Sequence, residues 1–292
     1  MFEVLLPIVF PILATTLIGF LWASFGYHIN SKDLTALIAD VATPCLIVST
    51  FQATRLPFDA LVSIAAAAGT CIALFAIVGG LLLFAIGLPV RTFLPSLSFP
   101  NAGNLGLPLA LYAFGTEGLG YAIAFFSMSS IANHTLGQAI TAGRANWLGL
   151  LRLPILYATA LGIGLSYFEW ELPAFTQSTI ALIGDMTVPL MLLMLGSSLR
   201  QLRIAAFWRS ATVSCIRVGM GLLVGVVVAW LFGLSGSMRA VLILQCANPV
   251  AVYNYLFAQR WNNQPEEVAG VVVLSTLLSI LTIPLLLTWL VP

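Results

Sequence analysis

Residues 99–109 of this chain read FPNAGNLGLPL and lie within an apolar segment long enough to cross a bilayer. The two prolines, Pro100 and Pro108, lack a backbone donor and clash with the preceding turn, while the two glycines tolerate conformations that other residues avoid. In hydrocarbon, a freed peptide group costs several kcal/mol unless another group satisfies it. The stretch therefore predicts a broken membrane helix whose backbone lines a cavity, as in the discontinuous helices of secondary transporters.

A second interruption of this kind occurs at Asn248-Pro249, in the other half of the chain. Interrupted hydrophobic segments at corresponding positions of two halves indicate a binding site near the middle of the bilayer. The pair of interruptions is the main indication of function in the sequence.

Composition places the chain in the membrane. Sixty per cent of its residues are hydrophobic and 7% are charged, whereas a soluble domain has about a quarter charged residues. The lipid bilayer is therefore its expected surroundings, and a net charge of +1 argues against a nucleic-acid partner. The four cysteines lack metal-ligand spacing, so no metal or other bound cofactor is predicted.

Turn residues and charges divide the chain into ten apolar segments, each of about 20 residues or more and so able to span about 30 Å of hydrocarbon. The predicted fold class is an all-α polytopic membrane protein with ten transmembrane helices. The segments, numbered 1 to 10, are 3–26, 33–52, 59–87, 93–114, 118–141, 147–167, 177–199, 207–232, 238–259 and 267–290.

Basic residues predict the orientation. With ten crossings, the loops on one side hold only Arg55 and Arg239, and Arg217 lies inside a segment. The loops on the other side hold Lys32, Arg91, Arg144, Arg152, Arg200, Arg203, Arg209 and Arg260. The positive-inside rule assigns this second set to the cytoplasm, so both termini are expected outside, and the short loops suit a bacterial inner (plasma) membrane.

The chain also repeats itself. Asp40-Val-Ala-Thr-Pro44 in segment 2 resembles Asp185-Met-Thr-Val-Pro189 in segment 7, which lies 145 residues later. Residues 1–143 and 147–292 are therefore interpreted as two five-helix repeats. Because five is odd, the second repeat must insert upside down relative to the first, which is a common transporter plan.

Five sets of residues carry a resemblance to a known family. They are Leu6-Pro7-Ile8 with Gly19-Phe20, Ala42-Thr43-Pro44-Cys45-Leu46, residues 101–108, Val188-Pro189-Leu190 with Leu195-Gly196-Ser197-Ser198-Leu199, and Asn248-Pro249-Val250-Ala251. These residues resemble the auxin efflux carrier family of membrane transporters, including its bacterial malonate-transporter-like members. The Gly-Asn-x-Gly-x-Pro part of residues 101–108 is the most specific, and the resemblance covers nearly the whole chain.

The resemblance implies a particular architecture and activity. A scaffold of helices 1, 2, 6 and 7 would hold a transport domain of helices 3–5 and 8–10, with broken helices 4 and 9 crossing beside the substrate. It further implies homodimers and the export or exchange of organic anions. The related bile-acid symporter family shares the plan but couples to sodium.

Asn101 and Asn104 are the first candidate substrate ligands, because their amides lie three residues apart at the break. They would bind a carboxylate with help from the positive end of the following half-helix, or satisfy carbonyls freed by Pro108. Asn248, Tyr253 and Asn254 are the candidates in the second half. The residues interpreted as backbone devices of the broken helices are Gly103, Gly106, Pro108 and Pro249.

Segment 5 carries the candidates for ion or proton coupling, Asn133, His134 and Gln138. Ser130, His134 and Gln138 share one helical face. A histidine titrates near neutral pH, so His134 would bind a coupling proton; the alternative is a neutral histidine bonded to a carbonyl.

Asp40, Asp185 and Arg217 are charged positions inside segments. Each aspartate would carry a proton or cap the helix disruption before the proline four residues on, and a structural role is favoured. Arg217 would attract an anion, pair with an aspartate, or extend to the cytoplasmic surface. The sequence does not separate these alternatives.

These observations predict a secondary active transporter of small organic anions, working by alternating access and linked to protons. A sodium-coupled symporter is the alternative in the same class, and a channel or ligand-binding sensor is the alternative in another. No P-loop pattern and no nucleophile–base pair is found, so neither ATP-driven transport nor an enzyme is predicted.

Overall fold

The computed structural model describes residues 2–27, 31–143 and 147–291. Arg144 and the boundary between the two predicted repeats lie outside the described residues, and the side chain of Lys32 is not described. Within the described ranges, every element of regular structure is helical apart from one isolated β-bridge. The predicted all-α class is therefore confirmed for these ranges.

The α-helices of the described ranges follow the chain as shown here. They are α1 (Phe2–Ser24), α2 (Ser31–Leu37), α3 (Thr43–Thr54), α4 (Phe58–Ala85), α5 (Val90–Ser98), α6 (Leu107–Ala132), α7 (Gln138–Ala142), α8 (Pro154–Tyr167), α9 (Ala174–Asp185), α10 (Thr187–Gln201), α11 (Phe207–Leu231), α12 (Gly236–Ala247), α13 (Val252–Arg260) and α14 (Pro265–Leu290).

Three π-helical turns widen the backbone between these helices, at Ile38–Ala42, Ala102–Gly106 and Asn133–Gly137. The first two directly precede α3 and α6, each of which has a proline, Pro44 or Pro108, at its start. A proline there lacks the N–H that would close a regular turn. Single π-turns inside helices are frequent at functional sites.

Seven helical stretches among the described residues are long and apolar enough to cross a membrane. They are Leu5–Ser24, Asp33–Thr54, Phe58–Ala85, Ala102–Ala142, Ala174–Gln201, Phe207–Leu231 and Pro265–Leu290. Two shorter apolar helices, Pro154–Tyr167 and Gly236–Ala247, accompany them. Large apolar side chains such as Phe84 and Trp230 are exposed on the outside of the molecule, as contact with lipid tails requires. The protein is an integral membrane protein.

The number of spans differs from the ten segments predicted, for two physical reasons. The stretch Ala102–Ala142 has 41 residues, about 60 Å at 1.5 Å per residue and so about twice the hydrocarbon thickness. It contains a break at Gly115, where φ is 65° and ψ is −159°, between segments 4 and 5. Segments 6 and 9 form helices too short to be counted as spans, since α8 and α12 have 14 and 12 residues.

The helices pack in two groups. α1 packs against α10, and α3 packs against α8 and α9. In the second group, α4 packs against α5 and α6, and α11 packs against α12 and α14. The π-turn Ala102–Gly106 contacts α10, and α6 contacts α3 and α1, so the two groups meet around the first helix interruption.

Candidate functional site

The two helix interruptions contact each other. Pro100 and Val250 form an antiparallel bridge. The N–H of Asn101 donates to the carbonyl oxygen of Pro249 over 2.7 Å, and the N–H of Ala251 donates to the carbonyl oxygen of Phe99 over 3.3 Å. Backbone groups freed by one break are thus satisfied by the other, which answers the cost of leaving them unpaired in the membrane.

Side chains from the second half support this contact. Asn254 Nδ2 donates to the carbonyl oxygen of Phe99 over 3.2 Å, and the N–H of Val250 donates to Ser275 Oγ over 3.1 Å. Asn254 and Ser275 are both buried. Their contacts stabilise the extended backbone on each side of the break.

Gly106 is packed directly against the second interruption. A Cβ at this position would overlap Gln245 Oε1, and it would lie 2.8 Å from Asn248 Nδ2. Gln245 Oε1 already accepts a hydrogen bond from Asn248 Nδ2 over 3.3 Å, and both side chains are fully buried. The absence of a side chain at Gly106 therefore allows the two halves to approach.

Arg217 is fully buried beside the two interruptions. Its Nη1 donates to the carbonyl oxygen of Leu97 over 2.9 Å, and its Nη2 donates to that of Cys246 over 2.7 Å. Its guanidinium carbon lies 4.6 Å from the centre of the Phe75 ring. Arg217 thus neither extends to the membrane surface nor forms an ion pair within the described residues, where the ion pairs are Arg55–Glu171 and Arg209–Glu267.

A cavity of about 180 Å³ lies beside the first interruption, between the two groups of helices. Its polar lining comes from both groups. From the first group come Asp40 and Thr43, and from the second come Asn101, Asn104, Ser129, Ser130, Asn133, His134 and Tyr253. The apolar part includes Phe126, Ile155, Met191 and Met194. Convergent polar groups in a mainly apolar cavity are typical of small-molecule sites.

The predicted ligands Asn101 and Asn104 both line this cavity and are buried. Asn101 Nδ2 has no hydrogen-bond partner among the described residues. A buried amide donor without a partner is unusual in a native structure and points to a missing partner such as water or a ligand. The two amides are thus placed where a carboxylate would be bound.

His134 and Tyr253 meet at the wall of the cavity. His134 Nδ1 lies 2.9 Å from the carbonyl oxygen of Ser130, so Nδ1 carries the hydrogen in that contact and Nε2 is left as the second ring nitrogen. The ring centre of His134 lies 5.9 Å from that of Tyr253 and 5.6 Å from that of Phe257, in edge contacts. Asn133 Oδ1, on the same π-turn, is buried without a partner among the described residues.

Asp40 is the acidic side chain that lines the cavity, and no lysine or arginine of the described residues lines it. It interacts electrostatically with the Tyr253 hydroxyl on the opposite group of helices. Asp185, its counterpart in the sequence repeat, lies at the end of α9 and does not line the cavity.

Several predicted residues lie outside the cavity. Asn248 and Asn254 hold the two interruptions together, as described above, and Gln138 lies half-buried in α7. The predicted backbone devices Gly106, Pro108 and Pro249 form the interruptions, whereas Gly103 also lines the cavity.

Sequence reasoning missed Gln245, Ser275 and Thr43. Gln245 and Ser275 are completely buried at the contact between the interruptions, and Thr43 lines the cavity. The signal for Gln245 was present, because an amide inside an apolar helix three residues before Asn248 is costly unless it is paired.

Comparisons with known proteins agree with this architecture. A family model described as membrane transport protein matches residues 141–287, just over half of the chain. An uncharacterized transporter of Methanocaldococcus jannaschii is 28% identical over 196 residues, and one of Methanothermobacter thermautotrophicus is 27% identical over 192 residues; each match covers 63% of this chain and 63% of the relative. Auxin efflux carrier component 1 of Arabidopsis thaliana is 28% identical over 141 residues, which are 46% of this chain and 23% of that protein.

The fold and the site define a helical membrane protein with a buried polar cavity at two helix interruptions. The chain belongs to the membrane transport protein family that includes the auxin efflux carriers, which confirms the resemblance drawn from the sequence. The matched regions span less than two thirds of the length of these relatives.

Proposed function

We propose that this protein is a secondary active transporter of small organic anions that works by alternating access and is linked to protons. The observation that carries the proposal is the cavity beside the two interruptions. It presents the amides of Asn101 and Asn104 in an apolar surrounding and is lined by both groups of helices. Groups that slide past each other around such a cavity would expose it to one side of the membrane at a time.

The proposed architecture is two inverted five-helix repeats, residues 1–143 and 147–292, with helices 4 and 9 crossing at their breaks. The helix contacts support it, because exchanging the repeats maps one observed pair onto another. The pair α1–α10 joins segments 1 and 7, and the pair α3–α8 joins segments 2 and 6. The pairs α4–α5 and α11–α12 join segments 3 and 4, and 8 and 9. Segments 1, 2, 6 and 7 would be the scaffold, and the rest the transport domain.

Alternating access is supported by a second, smaller cavity. It encloses about 70 Å³ and is mainly apolar. Its walls come from segments 1, 4, 7 and 10, the counterparts of segments 6, 9, 2 and 5 in the proposed repeat, and they include Ile12, Leu109, Leu195, Ser279 and Ile283. We interpret the larger cavity as the open cleft and the smaller as its closed counterpart. Leu153 and Pro154, next to Arg152, line the larger cavity, which supports an opening toward the cytoplasm.

The size of the cavity favours a small substrate. A volume of about 180 Å³ is below the range of about 300–1,000 Å³ that is typical of drug-sized ligands. Short mono- and dicarboxylates fit this limit and match the amide donors. The direction, export or exchange, follows the resemblance alone, as do the proposed homodimer and bacterial inner membrane.

The proton link is supported by the charge of the cavity. An anion next to an ionised Asp40 would be repelled in a medium of low dielectric constant. If Asp40 is protonated, it becomes a hydrogen-bond donor to the anion instead. The titratable groups that face it across the cavity are His134 and Tyr253. The helices packed against its turn carry further ionisable groups outside the cavity, namely Tyr157, Tyr167, Asp185 and Arg200. His134 is the second proposed proton-binding residue, with Asn133 and Gln138 beside it.

The test is thermal unfolding of the purified protein with acetate, lactate, malonate and succinate, with sodium or choline as the cation, at pH 5.5 and pH 8. A carboxylate-specific rise in Tm that is larger at pH 5.5 is the expected result. A rise that requires sodium would replace the proposal with a sodium-coupled symporter. No rise with any carboxylate would refute the proposed substrate class.

Flux measurements separate the remaining function classes. In proteoliposomes, a transporter moves the stabilising carboxylate at a saturable rate. Unitary currents would identify a channel, and binding without flux would identify a sensor. Either result would overturn alternating access.

A further inference from the structure

Arg217 is the buried charge that the proposed transport cycle does not use. It is 0% exposed, and no acidic side chain of the described residues pairs with it. Burying an unpaired ion is very costly, so its position requires a compensating environment. The two carbonyl groups that it contacts provide this environment.

The two carbonyl groups occupy equivalent positions in the two interrupted helices. Leu97 lies three residues before Pro100, and Cys246 lies three residues before Pro249. In an uninterrupted helix, each carbonyl would accept from the N–H four residues later. These donors are Asn101 and Val250.

Both donors are directed elsewhere. The N–H of Asn101 donates to Pro249 O, and the N–H of Val250 donates to Ser275 Oγ. The residues three positions on are the prolines, which have no N–H to offer. Arg217 Nη1 and Nη2 supply the missing hydrogen bonds, over 2.9 and 2.7 Å.

The electrostatics of the helix ends point to a cation at this place. The C-terminal ends of α5 and α12 converge there, and each carries a partial negative charge from the helix dipole. Arginine side chains commonly bind the last carbonyls of a helix. The Phe75 ring, 4.6 Å from the guanidinium carbon, covers the charge with an aromatic face that favours cations.

We propose that Arg217 is a built-in cation that holds the two half-helices together and occupies the place where a sodium-coupled carrier would bind sodium. Carbonyls at the ends of half-helices are the groups that coordinate sodium in transporters with broken helices. Because Arg217 fills this position permanently, the protein needs no sodium ion there. The inference rests on the proposed function for its meaning in transport, but its test uses no substrate.

Three variants separate charge from hydrogen bonding and packing. Arg217→Lys keeps the positive charge, Arg217→Gln keeps an uncharged donor, and Arg217→Met keeps only the apolar stem. We expect Arg217→Gln and Arg217→Met to lower Tm by about 10 °C, and Arg217→Lys by less than half of this. The matched control is Arg239→Gln, because Arg239 is exposed and lies over Trp289 at the start of the same helix α12; its Tm should change by less than about 2 °C.

The salt dependence of unfolding then tests the equivalence with sodium. The wild-type protein and Arg217→Lys should have the same Tm in sodium chloride and in choline chloride. Arg217→Met should be more stable in sodium chloride, since the vacated carbonyls of Leu97 and Cys246 become available as ligands. Equal stability of Arg217→Met in the two salts would refute the equivalence, and a Tm of Arg217→Met as high as that of the wild type would refute the clamp.

If the uncharged variants do not fold, the wild-type protein and Arg217→Lys still decide the question. A sodium-specific rise in Tm of the wild type would overturn the inference, and identical Tm values in the two salts would support it. A failed carboxylate screen would affect only the proposed function, because no carboxylate is present in these samples.

Discussion

Asp40 and Asn104 face the same cavity from opposite groups of helices and have opposite effects on an anion. The amide of Asn104 is able to donate hydrogen bonds, whereas an ionised Asp40 repels negative charge. The proposed binding of an anion therefore depends on the protonation of one residue. Two predictions follow at the scale of residues.

Asp40→Asn should remove the pH dependence of carboxylate binding. The amide resembles a protonated carboxyl group, so the variant should bind as well at pH 8 as the wild type does at pH 5.5. In the wild type, affinity should fall by up to about tenfold per pH unit once Asp40 ionises, since one proton is bound with the anion. The measurement is the Tm shift by malonate and succinate across this pH range.

Asp185→Asn is the control for this prediction, because Asp185 has the matching place in the repeat but lies outside the cavity. It should retain the wild-type pH dependence. If Asp40→Asn also retains it, the proton is bound elsewhere and His134 becomes the residue to replace.

Asn104→Ala should weaken carboxylate binding by about tenfold or more, since a hydrogen bond to a charged group contributes about 1.5–3 kcal/mol. The Tm without carboxylate should stay near that of the wild type, because no hydrogen bond of the Asn104 side chain is found among the described residues. Gln177→Ala, an amide removed from exposed α9, should leave binding unchanged. Unchanged affinity in Asn104→Ala would argue against this residue as a ligand.

At the scale of elements, the contact between the two interruptions depends on one small residue. Gly106 begins the half-helix that enters α6, and it lies against Gln245 and Asn248 of the other half. These two amides are bonded to each other and fully buried, so they have little room to move. A larger side chain must separate the half-helices.

Gly106→Val should lower Tm by about 5 °C, given that overpacking costs about 1–3 kcal/mol and that Tm falls by about 2–4 °C per kcal/mol in proteins of this size range. Gly164→Val in α8 is the control, because nothing lies within 4 Å of a Cβ there. Thermal unfolding of both variants in the same detergent provides the comparison. Equal Tm values would mean that the two halves are not packed at Gly106.

At the scale of the whole molecule, the unequal size of the two cavities is the feature that alternating access explains. The larger cavity encloses about 180 Å³ and the smaller about 70 Å³. Ser130 lines the first and Ser279 lines the second. The two serines therefore report on the two sides of the protein.

Ser130→Cys should react with a membrane-impermeant maleimide in inside-out vesicles and be protected in right-side-out vesicles, whereas Ser279→Cys should react poorly in both. The background should replace Cys45 and Cys215, because the other cysteines, Cys71 and Cys246, are buried. The labelled fraction is measured by a gel shift. Labelling of Ser130→Cys from the outside only would reverse the proposed orientation.

The sequence predicted the membrane class, both helix interruptions and the family. These features follow from local chemistry, since proline and glycine interrupt a helix in any surroundings and a long apolar segment needs lipid around it. It also predicted Asn101, Asn104 and His134 as site residues, because polar groups inside apolar segments are costly without a role. All three line the cavity.

The tertiary structure alone decided which polar residues face the cavity and which hold the interruptions together. Asn104 and Asn248 lie in similar contexts along the chain, but the first lines the cavity and the second is bonded to Gln245. Asp40 and Asp185 differ in the same way, and Arg217 binds two carbonyls that are 149 residues apart in the chain. Such assignments depend on how distant segments pack, because a hydrogen bond forms only between groups that the fold brings within about 3 Å, and spacing within one segment carries no information about the partner on another.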